Sequence, residues 1–134
     1  MRKLALVLAA LAAAVVAASP VGAAGSKTVV TVRLKEWGVL PTPLKTKHGV
    51  VVFSVKNIGK LDHELVVLKT NVAPTKLPVK KAKALETGRV GRVGPLKPGT
   101  SATLVLTLKP GKYVLICNVL GHYKAGQRTG FGVT

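Results

Sequence analysis

The stretch CNVLGHYKAGQ, Cys117 to Gln127, holds the only cysteine in the chain, with a histidine five residues on and a glutamine five beyond that. Gly121 and Gly126 let such a loop fold back on itself, because glycine tolerates backbone angles other residues avoid. A thiolate, an imidazole and an amide oxygen can then point at one place. A fourth group from a neighbouring strand would complete a metal site. Two other histidines are available. His48 lies in TKHG, between prolines and a strand, and reads as exposed. His63 opens HELVVLK after a glycine-bearing turn and is the expected partner. Two histidines, one cysteine and a weak axial group form the donor set that holds copper for electron transfer. An amide oxygen is harder than a thioether, so Gln127 favours Cu(II). Met1 is the only methionine, so no thioether competes.

Strands must position these residues. Past residue 25 the sequence is rich in valine and leucine with period-two alternation. Strands are expected at Thr28–Leu34, Val50–Asn57, His63–Lys69, Arg89–Val93, Ser101–Leu108, Lys112–Asn118 and in the closing RTGFGVT. Pro41 and Pro43 mark an irregular edge segment, since proline cannot serve a central ladder. Residues 70–88 break the alternation and read as a long surface connection, with one helical turn over Lys80–Leu85. Seven to eight short strands with almost no helical period predict an all-β Greek-key sandwich or barrel.

The N-terminus reads as an export signal. Arg2 and Lys3 precede an unbroken apolar run, Leu4 to Ala18, and small residues follow near Ala24. Residues 1–24 are therefore the expected cleaved segment and 25–134 the mature domain, about 110 residues, enough for one sandwich-sized core. The expected location is the periplasm, the cell envelope or the exterior. A lone cysteine in an oxidising compartment cannot form an internal disulfide, so Cys117 is a buried filler, a ligand or a nucleophile. The chain carries 21 basic and 4 acidic residues, net +17. Without Arg2 and Lys3 the domain keeps 19 against 4, or +15. That field favours acidic proteins or an anionic membrane or wall polymer; export argues against nucleic acid.

Two segments resemble the cupredoxins, the small blue copper proteins. NIGKLDHELVV is similar to their asparagine–glycine turn before the first histidine ligand. GKYVLICNVLGHYKAGQ is similar to their closing strand and ligand loop. EWGVLP fits their early strands, so the resemblance spans the whole mature domain. It implies a cupredoxin-like sandwich and one copper ion, cycling between Cu(I) and Cu(II). His63, Cys117 and His122 would be equatorial ligands and Gln127 the axial one. Glutamine in place of methionine resembles the plant stellacyanins, but those carry a disulfide and this chain cannot, so that likeness is confined to the loop. The resemblance further implies that Asn57 ties the first-histidine turn to the ligand loop and that the Glu64 N–H bonds the cysteine sulfur. Electrons would leave through the exposed edge of His122, with Val119 and Leu120 as the docking patch.

The expected function is a monomeric, exported electron carrier without substrate turnover, passing single electrons between redox proteins that dock near His122. Copper storage or delivery on the same fold is the alternative. Delivery sites are often methionine-rich, which this chain is not. A Cys117–His122 nucleophile pair would make an enzyme, but no carboxylate stands near His122 in sequence to orient it.

Overall fold

The computed structural model describes residues 26–134. The expected export segment lies outside them. Eleven strands run in chain order: β1 Thr28–Lys35, β2 Gly38–Thr42, β3 Lys45–Thr46, β4 Gly49–Asn57, β5 His63–Lys69, β6 Val79–Lys80, β7 Lys83–Ala84, β8 Arg89–Leu96, β9 Ser101–Leu108, β10 Gly111–Ile116 and β11 Arg128–Val133. Eight of them have five residues or more, which matches the expected count; three two-residue strands make up the rest.

Two sheets face each other as an open sandwich. One has the order β2-β1-β4-β9 and the other β3-β11-β10-β5-β8. The sheets do not close into a barrel. Alternation drives the assembly. Val30, Val32 and Leu34 of β1 and Val51, Phe53 and Val55 of β4 are fully buried, while their neighbours face outward. They pack on Leu65, Val67, Tyr113, Leu115 and Phe131 of the opposite sheet. Pro41 sits in β2, an edge strand, where its missing N–H costs no central ladder bond.

β5 departs from alternation. Six consecutive residues, His63 to Leu68, are buried. Its outer face is covered by the 70–88 connection, whose Leu77 and Ala84 pack with Val66, Leu68, Ile116 and Tyr123 in a second cluster. That connection contains one 3-10 turn, at Pro74–Lys76. Over Lys80–Leu85, where the sequence predicts a helical turn, β6 and β7 pair as a hairpin instead. Backbone hydrogen bonding between Leu85 N–H and the Pro78 carbonyl closes its base at 2.7 Å, outweighing the local helical preference of the lysine–alanine run.

Candidate metal centre

Three elements bring the predicted donors together. β5 begins at His63, in the middle of its sheet between β10 and β8. β10 delivers Cys117 just past its last residue. The loop from Cys117 to Gln127 turns back so that the Cys117 N–H donates to the Gln127 carbonyl at 3.0 Å. Inside it, His122 N–H donates to Val119 and Gln127 N–H to His122. Gly121 and Gly126 take positive φ, +81° and +114°, as the fold-back requires.

The result is a tight triangle. Nδ1 of His63 lies 3.2 Å from Nδ1 of His122, and Cys117 Sγ lies 3.8 Å and 3.5 Å from those nitrogens. Two donors sharing one late first-row ion at bonds of about 2.0–2.3 Å must stand closer together than about 4.5 Å, and all three pairs do. Gln127 is fully buried. Its amide donates to the Gly38 carbonyl at 3.4 Å, while its oxygen is the one buried side-chain polar atom without a hydrogen-bond partner among the described residues. An orphaned buried oxygen beside a thiol and two inward nitrogens fits a cation. His48, by contrast, is exposed and bonds the Thr134 carbonyl at 3.0 Å, away from the cluster.

Burial favours the neutral form of both His122 and Cys117. Burial lowers the His122 pKa, reinforced by the charge of His63 and opposed by Gln127, Glu36 and Glu64. Burial pushes the Cys117 thiol up, with the N–H groups of Glu64 and Val119 pulling against it. The Glu64 N–H donates to Sγ at 3.3 Å, as the sequence reading anticipates. Such a donor favours a thiolate over a thiol.

The surrounding supports differ in part from those anticipated. Asn57 accepts from Gly59 N–H at 2.9 Å and donates to the carbonyls of Leu61 and Leu96, each at 2.8 Å. It fastens the first-histidine turn to the end of β8, not to the ligand loop. That loop is held instead by the β6–β7 hairpin. Gly121 N–H donates to the Ala82 carbonyl, Asn118 exchanges hydrogen bonds with the backbone of Ala84, and the Tyr123 hydroxyl links Leu77 N–H to the Pro74 carbonyl. Asn118 also donates to Glu86 at 2.9 Å. Burial alone would raise the Glu86 pKa, but the bonds from Asn118 and Arg89 and the charge of Arg92 hold it below its ordinary value.

Two site residues escape the sequence reading. Glu36 and Trp37 form the β1–β2 turn and lie against the outer sides of the histidines. Glu36 sits 2.8 Å from His63 Nε2. Its pKa is lowered to about 2: burial pushes it up, but the backbone N–H groups of Leu61 and Lys60 and the His63 hydrogen bond outweigh that. The Trp37 ring packs edge-on against His122 at 5.0 Å and against His63 at 6.5 Å. Glu36 is one of only four acidic residues in the chain, but no local sequence signal ties it to the donors.

No protein-family model matches the sequence, and no curated protein matches it. Solved structures do. Auracyanin from the photosynthetic bacterium Roseiflexus castenholzii superposes with a TM-score of 0.63 at 21% identity, covering 82% of this chain and 99% of that one. Auracyanin A, a blue copper protein from Chloroflexus aurantiacus, gives 0.60 at 21% identity, covering 81% and 100%. Rusticyanin from Thiobacillus ferrooxidans gives 0.59 at 16% identity, covering 82% and 79%. The chain therefore has the cupredoxin fold.

Proposed function

We propose that this chain is an exported type 1 copper protein that carries single electrons between redox partners. The observation that carries the reading is the convergence of Cys117 Sγ and the two Nδ1 atoms within 4.8 Å of one another, with the unpartnered Gln127 oxygen buried in the same fold. His63, Cys117 and His122 would hold the ion and Gln127 would be its weak axial neighbour. A copper ion bound there supplies the one-electron couple. The chain supplies rigidity: the donors are buried, and each is fixed by a strand or by a hydrogen-bonded turn.

His122 is the donor nearest the surface, 8% exposed where the other three are sealed. Trp37 covers it and is itself 45% exposed, and Leu120 on the same loop is 65% exposed. These two side chains are the contact surface we assign to a partner. The adjacent hairpin carries Lys80, Lys81 and Lys83, all exposed, and among the described residues none of them meets a carboxylate. An acidic protein would be steered to it. The export-like N-terminus supports release to the periplasm or beyond, as a monomer, with the basic surface open to anionic membrane or wall polymers. No helix among the described residues is long and apolar enough to cross a membrane. Electron carriage needs no turnover of a substrate.

The test is a visible absorption and EPR spectrum of the mature domain with one equivalent of Cu(II). An intense thiolate-to-copper band that bleaches on reduction and returns on oxidation is expected, and Cys117→Ser abolishes it. A colourless protein that keeps only Cu(I) would instead support storage or delivery.

A further inference from the structure

The carboxylate of Glu36 accepts from two backbone N–H groups and also meets the His63 ring. Oε1 accepts from Lys60 N–H at 2.9 Å and from Leu61 N–H at 2.7 Å, and Oε2 lies 3.1 Å from the same Lys60 nitrogen. Oε1 also faces His63 Nε2 at 2.8 Å. Gly59 makes the approach possible: a Cβ there would meet both carboxylate oxygens at 2.7 Å and His63 Nε2 at 2.9 Å. The residues that bond Glu36 stand 24 or more positions away in sequence, so only the fold unites the β1–β2 turn with the Asn57–His63 turn.

Chemistry fixes the direction of the last bond. An ionised carboxylate only accepts, so the proton between Glu36 and His63 belongs to Nε2. The lone pair of the neutral ring then lies on Nδ1, the atom that faces Cys117 Sγ and His122. A carboxylate behind a metal-bound imidazole also raises the basicity of the ligating nitrogen. Among the described residues the ring has no other polar partner outside the donor cluster, and it is fully buried.

We propose that Glu36 is the positioning residue of this site: it locks His63 in the Nε2–H tautomer, aims Nδ1 at the donor cluster and strengthens it as a donor to the more highly charged ion. The tautomer half stands on the fold alone, whereas the donor-strength half rests on the copper reading above.

Long-range proton–nitrogen NMR of the metal-free mature domain tests the first half. The expected wild-type spectrum has His63 as Nε2–H. Glu36→Ala should give a mixture of tautomers, while Glu36→Gln, whose oxygen can take the place of Oε1 between the turn N–H groups and the ring, should retain it. Titration with Cu(II) tests the second half. Glu36→Ala is expected to weaken Cu(II) binding by about 10–100-fold, and Glu36→Gln to raise the reduction potential with the tautomer unchanged. A Glu36→Ala protein with an intact Nε2–H tautomer and wild-type Cu(II) affinity overturns the proposal. Should that variant not fold, Glu36→Gln decides, and a potential equal to wild type overturns it. A wild-type protein that shows the Nε2–H tautomer yet binds no Cu(II) would sink the copper reading and leave the role of Glu36 in fixing the ring intact.

Discussion

His63 opens a strand paired on both sides, and its outer nitrogen is held by Glu36 at 2.8 Å. His122 rides a turn just after a positive-φ glycine, and no hydrogen bond reaches its outer nitrogen among the described residues. One ring is sealed and clamped; the other is packed only by the edge of a half-exposed tryptophan. The two rings present the same atom to the same sulfur. In the proposed electron carrier they would serve different tasks: a clamped donor would keep the site from relaxing when its charge changes, and a donor near the surface would give a partner close approach.

Replacing each ring by glycine separates the two roles and has the largest effect. Both His63→Gly and His122→Gly should lose the charge-transfer band. Added imidazole should restore it in His122→Gly, whose vacated space opens beside Leu120, and should not in His63→Gly. Equal rescue of both, followed by absorption, would break the contrast. Gly59→Ala attacks the clamp without touching a donor. The new Cβ overlaps the carboxylate and the His63 ring, so the variant should unfold about 1–3 kcal/mol more easily in urea and bind Cu(II) more weakly. No loss of either would mean that Glu36 does not need its place.

The outer side is tested through the hairpin. Changing Lys80, Lys81 and Lys83 to glutamate should slow reduction by an acidic redox protein about tenfold at low salt and leave the potential unaltered. Near 1 M salt, where screening acts within about 3 Å, the variant and wild type should converge in stopped-flow traces. Gln127→Met sharpens the axial assignment. A softer axial group should raise the potential by about 59 mV, a tenfold shift of a one-electron couple, measured by voltammetry. An unchanged potential would remove Gln127 from the site.

Legibility followed the range of the interactions. The β1, β4 and β9 strands could be read from alternating apolar residues, because burial on a sheet repeats every two residues, and β5 from its short run of valine and leucine. The hairpin at β6–β7 could not. Its lysines and alanines fit a helical turn, and what holds it extended is contact with the ligand loop through Asn118 and Gly121. The clustering of Cys117 and His122, and the placing of Gln127 as the proposed axial group, were legible because one loop contains all three residues. His63 was legible through its turn. Glu36 and Trp37 were not: nothing within five residues of either carries a donor, and their partners arrive from β5 and from the loop after β10.

By itself the sequence determined the sheet-forming periodicity, the donor types and the absence of a competing thioether, since these are properties of residue identity and local order. The tertiary structure decided which nitrogen of each histidine points inward, which turn Asn57 fastens and where the few acids go. All four carboxylates end near the donors or their supports: Glu36 on His63, Glu64 and Glu86 on Arg92, and Asp62 beside Lys97. Hydrogen bonds act over about 3 Å, and only the packing of two sheets brings residues so far apart in the chain to that distance.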